Sequence, residues 1–447
     1  MQVLTLLTVS LAALCASSAR HMSARHHLAD FRGHQHHISY DPDNNWIAAV
    51  TEHNYTEAIL DHFAPVSAVK HWNQRYFVND EFWAGEGYPV FLYIGGEGPL
   101  SASALSKNNY IHTLARSHRA LLVAVEHRYY GKSGSLSAGA TPAHLRPGSV
   151  ASSAPLWAKE DFPEYMEVVG NGLRYFGGGE CYRAVEQAMV ALHALLDGGR
   201  EGRQKLAELF SPCSPMKNEF DDSVFESSVM SLFQGVAQYN DIYGGLTLTD
   251  VCNIFSRGND SLAQLVDFVN QAKTKPCLDS NFQGTPNGTV EVLSETAFDG
   301  KSSSRQWFYQ TCNEFGYFQT ATTKQSPFWP LKTQTLQNVG LEVCKRVFGI
   351  AAHPDTLGTN IYYGSLDITV DHVVFPSGTV DPWHFLAVQN TTHMNMATAR
   401  PIFIEGTAHC ADMHAPNATK DSGHMVWARQ QIASAVAAFV HSAVAAE

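Results

Sequence analysis

Short apolar runs ending in glycine turns recur along this chain, in two groups separated by a long stretch of different texture. Pro89-Val-Phe-Leu-Tyr-Ile94 and Ala120-Leu-Leu-Val-Ala-Val-Glu126 are continuously apolar over strand length, as strands buried on both faces are. Gly148-Ser-Val-Ala-Ser-Ser-Ala-Pro155 reads as a third, and Val373–Phe375 and Ile402–Ile404 as two more. Before them, Asp61-His-Phe63 and Trp72–Asp80 alternate aromatic and polar residues as hairpin strands do. Tyr110–Ala115 predicts a short helix. A last helix is predicted over about 425–445, with Ile432, Val436, Phe439 and Val440 on the face that packs on the sheet.

Between these groups, from Asp161 to about Ser365, strands are few and helical patches appear at Ala184–Leu196 and Ser261–Ala272. Cysteines concentrate there. The pattern predicts an α/β domain split by a mainly helical insertion: 46–160, then a helical cap over 161–365, then 366–447. Arg305–Gln319 is an aromatic cluster with few charges, read either as core or as the wall of a substrate pocket.

One connection breaks the pattern. Parallel strands need a crossover, normally a helix, yet residues 134–147 are mostly Gly, Ser, Ala and Pro with no apolar stripe at helical spacing. A crossover element is absent from this stretch.

Composition bounds the reading without deciding it. The 447 residues, 45% hydrophobic and 16% charged, describe an ordered globular protein. A net charge of −12 excludes nucleic acid or an anionic membrane as the main partner. Protonating all 22 histidines would turn −12 into +10, a sign change compatible with acidic compartments. Val3–Ala16 is apolar but too short to span a bilayer, and Ser17-Ser-Ala19 suits cleavage, so residues 1–19 read as a secretory signal peptide. Residues 20–45 are His-rich, read as a solvated leader or a metal-binding tract. Removing Cys15 would leave Cys181, Cys213, Cys252, Cys277, Cys312, Cys344 and Cys410, which predicts disulfides with one cysteine left over. Sequons begin at Asn54, Asn259, Asn287, Asn390 and Asn417, as expected of a glycoprotein.

The candidate chemistry lies in the turns. Phe375-Pro-Ser-Gly-Thr-Val-Asp-Pro-Trp-His384 presents Asp381, and Glu405-Gly-Thr-Ala-His-Cys-Ala-Asp412 presents His409. An acid followed by a base at strand ends is how a triad laid out Ser…Asp…His finishes. Gly95-Gly-Glu-Gly-Pro99 after a buried strand admits two readings. It is an oxyanion-hole turn offering amides of Gly95 and Gly96, or a tight turn without chemistry. A dinucleotide fingerprint fails because Ser101 stands where its third glycine belongs. Gly131-Lys-Ser133 is not a phosphate loop, since Glu126 occupies the first glycine position.

Together, Gln74-Arg-Tyr-Phe77, Phe91–Pro99, Val125–Ser133, Val150–Pro155, Tyr309–Tyr317, Asp381-Pro-Trp-His384 and Gly406–Asp412 carry a resemblance. The chain is similar to the lysosomal Pro-Xaa carboxypeptidase family of serine peptidases. The Ala-His-Cys-Ala-Asp form is nearest to the thymus-specific serine protease-like branch. The resemblance implies an α/β-hydrolase fold with a helical cap, and cleavage of peptides next to proline near a terminus. It further implies Asp381 as triad acid and His409 as base, with no cofactor and no metal. The partners it implies are peptides, and it admits a homodimer; location would be secreted or lysosomal. The family carries its nucleophile in a Gly-Gly-Ser-Tyr-x-Gly elbow between the Gly-Lys-Ser and Val-Ala-Ser-Ser-Ala-Pro stretches. This chain has no such elbow. A helix, a strand, the elbow and a second helix, on the order of 50 residues, are missing at 134–147. Ser133, Ser135, Ser137, Ser149, Ser152 and Ser153 are poor substitutes, since none stands on a strand-to-helix elbow. The expectation is thus a serine exopeptidase by family, carboxypeptidase or dipeptidyl peptidase, whose written chain lacks the nucleophile. The alternatives are a non-catalytic, peptide-binding glycoprotein and the product of a shortened transcript or gene model.

Overall fold

The computed structural model describes residues 5–8, 50–60, 65, 69–133, 148–284, 287–297, 302–392 and 398–444. The His-rich tract at 20–45, Asp61–Phe63 and the connection at 134–147 lie outside the described residues, as does most of the 1–19 leader.

Two half-sheets make the α/β part. The first has the order β1 (Thr5–Thr8), β4 (Val90–Ile94), β5 (Leu121–Val125), β3 (His71–Asn79), β2 (Val50–Ile59). β1, β4 and β5 are mutually parallel, while β3 and β2 run antiparallel at the far edge. The second half has the order β10 (Ala399–Ile404), β9 (Val373–Gly378), β6 (Ser149–Val150), all parallel. The hairpin partner of β3 is therefore β2, upstream of the expected Asp61–Phe63. The expected strand at 148–155 is regular only over Ser149–Val150, but its bonds to β9 run on through Ala151 N–H to the Val374 carbonyl (2.8 Å) and Ser153 N–H to the Pro376 carbonyl (2.7 Å), and the chain turns at Ser153, whose φ is +49°.

One apolar cluster underlies both half-sheets. Phe91, Tyr93, Leu122 and Ala124 join Val150, Val374, Ile402 and Ile404 through Met425, Ile432, Val436 and Phe439 of the helix Gly423–Val444. Ile111 and Leu114 of the helix Tyr110–His118 belong to the same cluster. The predicted apolar face of the C-terminal helix is the buried one, and each such side chain contributes about 2–3 kcal/mol by leaving water.

The intervening block is helical, with a separate core. Its longest helix, Glu164–Asp197, bends at Gly178, whose φ of +71° interrupts the helical backbone. Around it pack helices Gly199–Phe210, Glu219–Gln238, Leu248–Phe255 and Ser261–Ala272, burying Tyr165, Val185, Phe225, Phe233 and Phe268. A short parallel pair, β7 (Lys159–Asp161) with β8 (Gly316–Phe318), closes the block at its base. This is an α/β-hydrolase arrangement with a helical cap. Disulfides Cys181–Cys252, Cys213–Cys277 and Cys312–Cys344 brace the cap. Cys410 is disulfide-bonded as well, its partner lying outside the described residues, so the expected leftover thiol is not found among them.

Glu126 shows why a phosphate loop could not form. Its fully buried carboxylate accepts from the amides of Leu100 (2.9 Å) and Ser133 (2.8 Å) and from the Arg75 guanidinium. Arg75 also donates to the Leu100 carbonyl at 2.8 Å, and Glu126 N–H donates to the Arg75 carbonyl at 2.9 Å. One charge pair thus ties β3, the glycine turn after β4 and the turn after β5. Glu126→Ala leaves a buried guanidinium without its main counter-charge, an expected loss of about 3–5 kcal/mol in urea denaturation. A loss below about 1 kcal/mol would show that the pair is dispensable.

Candidate active site

The ends of β9 and β10 are stitched together by backbone bonds. Thr379 N–H donates to the Ile404 carbonyl and Val380 N–H to the Thr407 carbonyl, each at 3.0 Å, and Gly406 N–H donates to Thr379 Oγ1 at 2.9 Å. Gly378 must be glycine, because a Cβ there would collide with the Thr407 carbonyl. This close approach sets two side chains against each other. His409 Nδ1 lies 2.9 Å from both Oδ1 and Oδ2 of Asp381, and both side chains are fully buried.

The carboxylate accepts only, so Nδ1 carries the proton and Nε2 presents its lone pair. Asp381 is also held by Trp383 N–H, which donates to Oδ1 at 2.9 Å as the cap of the short helix Pro382–Leu386. His409 Nε2 is buried and has no hydrogen-bond partner among the described residues. Chemically this is an oriented imidazole able to take a proton from a group placed at Nε2.

The serines are engaged elsewhere. Ser133 Oγ accepts from Arg75 N–H at 2.9 Å; Ser152 Oγ donates to Asp412 Oδ1 at 2.6 Å; Ser153 Oγ accepts from Cys410 N–H at 2.8 Å. Ser135 and Ser137 lie outside the described residues. No hydroxyl among the described residues bonds to His409 Nε2.

The glycine turn after β4 divides its two candidates. Gly95 N–H donates to the Val125 carbonyl at 2.7 Å, which extends the β4–β5 ladder and removes that amide from any oxyanion role. A Cβ at Gly95 would stand 2.9 Å from the same carbonyl, so its glycine answers to packing. The amide of Gly96 has no partner among the described residues and is the candidate that stands.

Sequence reasoning missed Gln238, the last residue of the helix Glu219–Gln238. Its carbonyl accepts from His409 N–H at 3.0 Å, and its Oε1 accepts from Tyr165 Oη (2.5 Å) and Trp383 Nε1 (3.1 Å). One cap residue therefore holds both the histidine loop and the residue two beyond the aspartate. The neighbouring Tyr239 sets its ring edge-on to His409, centroids 6.3 Å apart. Nothing local in sequence marks Gln238, since Tyr165, Trp383 and His409 are 73 to 171 positions away, and only its Nε2 bonds locally, to Tyr239 Oη.

The aromatic run 305–319 contributes to the cap core, with Tyr317 buried and Trp307 packed against the same cluster. Trp307 and Tyr317 meet the Trp383 ring at 6.3 and 5.4 Å, on the far side of the Asp381 turn. Asp412 is buried beside Ser152, and burial pushes its carboxyl up to about 6, against the opposing hydrogen bond from Ser152. Burial pushes His414 and His127 down to about 4, helped by the charges of Arg429 and Arg128 respectively.

The five sequon asparagines, Asn54, Asn259, Asn287, Asn390 and Asn417, are all exposed. Among the described residues no three His, Cys, Asp or Glu side chains converge as a metal site. A cavity of about 350 Å³ opens in the cap, lined by Lys217, Asn218, Phe220, Asp221, Asn281 and Phe282 among others; neither Asp381 nor His409 lines it.

Comparison with known proteins agrees with this geometry. The human thymus-specific serine protease is 30% identical, with 86% of each chain covered. A putative serine protease of Caenorhabditis elegans is 29% identical over 86% of this chain and 87% of its own. The human lysosomal Pro-X carboxypeptidase is 24% identical over 81% and 83%. The profile described as "Serine carboxypeptidase S28" matches residues 58–146 and 133–432, two pieces that overlap over 133–146. With most of its length matched in this way, the chain belongs to the serine carboxypeptidase S28 family.

Proposed function

We propose that this chain is a serine exopeptidase scaffold for peptides with proline near a terminus, with Asp381 as acid and His409 as base. In this reading the segment bearing the nucleophilic serine is absent between Ser133 and Gly148, and the polypeptide hydrolyses peptides little or not at all. The observation that carries it is the buried Nε2 of His409, whose ring is held by Asp381 and which has no partner among the described residues.

Two further observations support it. The family match breaks where the crossover is short. Also, 86% of 447 residues is about 384, so an alignment of 453 positions with the human thymus-specific protease leaves about 69 without a residue here. That is the order of size expected for two helices, a strand and an elbow. Gly96 supplies the oxyanion amide in this reading. The apolar segment within 1–19 directs the chain into the secretory route, to the lysosome or the exterior, with glycans on the exposed asparagines. No described helix is long and apolar enough to cross a membrane.

The alternative of a peptide-binding glycoprotein without catalysis draws on the same orphaned histidine and on the braced cap. Peptide binding without cleavage by a secreted, cooperatively melting product would favour it, whereas retention as aggregate would sink it.

The 447-residue protein is expected to stay unlabelled by a fluorophosphonate probe and to release no fluorophore from proline-containing dipeptide substrates above the buffer rate. Labelling that disappears in His409→Ala would overturn the reading. Sequencing the transcript across the codons for Ser133 to Gly148 is expected to find a longer form encoding a Gly-Gly-Ser elbow. Its product should hydrolyse these substrates, with His409→Ala lowering kcat at least about 1,000-fold.

The buried groups predict the response to acid. His127 and His414 must stay neutral in the fold, so their contribution is full above pH 6.5 and is lost as pH falls toward 4, each on the order of 3 kcal/mol. Asp412 works the other way, because its raised pKa favours the fold as pH falls from 6 toward 4. Thermal melts should therefore fall in Tm between pH 6.5 and 4, less steeply in His414→Gln and more steeply in Asp412→Asn. Identical slopes in all three proteins would refute the assignment.

A further inference from the structure

Glu226, in the cap helix Glu219–Gln238, is a carboxylate with no exposed surface. Its Oε1 lies 2.6 Å from Nδ1 of His193, in the helix Glu164–Asp197. Its Oε2 accepts from Thr333 N–H at 3.2 Å and from the Thr333 hydroxyl. One carboxylate therefore joins the two longest cap helices to the segment at Thr333.

A buried carboxylate is costly unless a cation faces it. Two basic side chains close by are engaged otherwise. Arg203 donates to both oxygens of Asp222, one turn before Glu226, at 2.7 and 2.5 Å. Lys332 donates to the Trp329 carbonyl at 2.8 Å and stands over that ring. Among the described residues, the ion pair of Glu226 is with His193. The other ring nitrogen, Nε2, stands 3.6 Å from Asp197 Oδ1, four residues on along the same helix. A carboxylate thus faces each nitrogen of the ring. Carboxylates accept and do not donate, so the ring matches its surroundings best when both nitrogens carry protons, as the imidazolium. Burial acts against that charge, but Glu226 and Asp197 outweigh burial and the charge of Lys332, and hold the His193 pKa above its ordinary 6.5.

We infer that His193 and Glu226 form a clasp in the cap that tightens in acid, binding the helix Glu164–Asp197 to the helix Glu219–Gln238 and loosening toward neutral pH. A group whose pKa is raised by folding stabilises in full below its unfolded value, and the effect is lost as pH rises through the folded one. The clasp is therefore whole below pH 6.5 and fades above it, the opposite direction to His127 and His414. It holds whether or not the Asp381–His409 pair turns over peptides.

The test uses the full 447-residue protein. Urea midpoints of the wild type and of His193→Gln, each taken at pH 5.5 and pH 8, isolate the pair, since the other titrating groups are common to both proteins. The wild type should lead the variant by a wider margin at pH 5.5 than at pH 8. Nuclear magnetic resonance of protein carrying carbon-13 histidine should show the His193 Cε1–H titrating above 6.5. Asp197→Asn, which keeps the ring and its bond to Glu226, should lower that midpoint and so identify the resonance. If His193→Gln does not fold, the titration alone decides. Three results overturn the inference: an equal or narrower margin at pH 5.5, a His193 midpoint at or below 6.5, or no histidine titration moved by Asp197→Asn.

Discussion

The contact between His409 and Asp381 depends on two turns lying within hydrogen-bond reach of each other. Thr379, Val380 and Gly406 make that reach, and Gly378 permits it by having no side chain. The parallel pairing of β9 with β10 fixes the starting points of both turns, since six residues stay in register before either chain departs. The dyad is therefore a consequence of sheet register. Moving one strand by a residue would turn every side chain to the opposite face and separate the acid from the base.

The cap enters this arrangement through a single helix end. Gln238 uses its carbonyl on the histidine loop and its side chain on Tyr165 and Trp383, so cap and sheet share one polar network. All of it is buried, where an unmade bond costs more than in water. The same economy governs Glu126 and Arg75 on the other side of the molecule, where one charge pair joins three segments. Between these two networks one apolar cluster, completed by the C-terminal helix, underlies both half-sheets.

The chain belongs to a serine peptidase family, and among its described residues no hydroxyl bonds to the Nε2 of the histidine. The geometry of Asp381 and His409 is that of a working pair, with a protonated Nδ1 and an open Nε2. The neighbouring hydroxyls are already committed: Ser152 to Asp412, Ser153 to the Cys410 amide. Proximity alone does not make a nucleophile, because each of these serines would have to abandon a buried partner to reach the histidine.

Much was legible in the chain itself. The apolar runs at 89–94, 120–126, 373–375 and 402–404 became strands, because a continuous run of branched and aromatic residues is stable only when buried on both faces. The C-terminal helix showed its buried face by spacing alone, and Asp381 and His409 were marked by the turns that carry them. What sequence could not decide is whatever needs two distant segments at once. Gly95 was read as a donor, but its amide belongs to Val125, 30 residues away. Gln238 carried no local signal. Local propensity and periodicity determined which elements this protein has. Only tertiary structure decided which donors were already taken and which side chains meet at the site, because hydrogen-bond partners are set by packing across the chain.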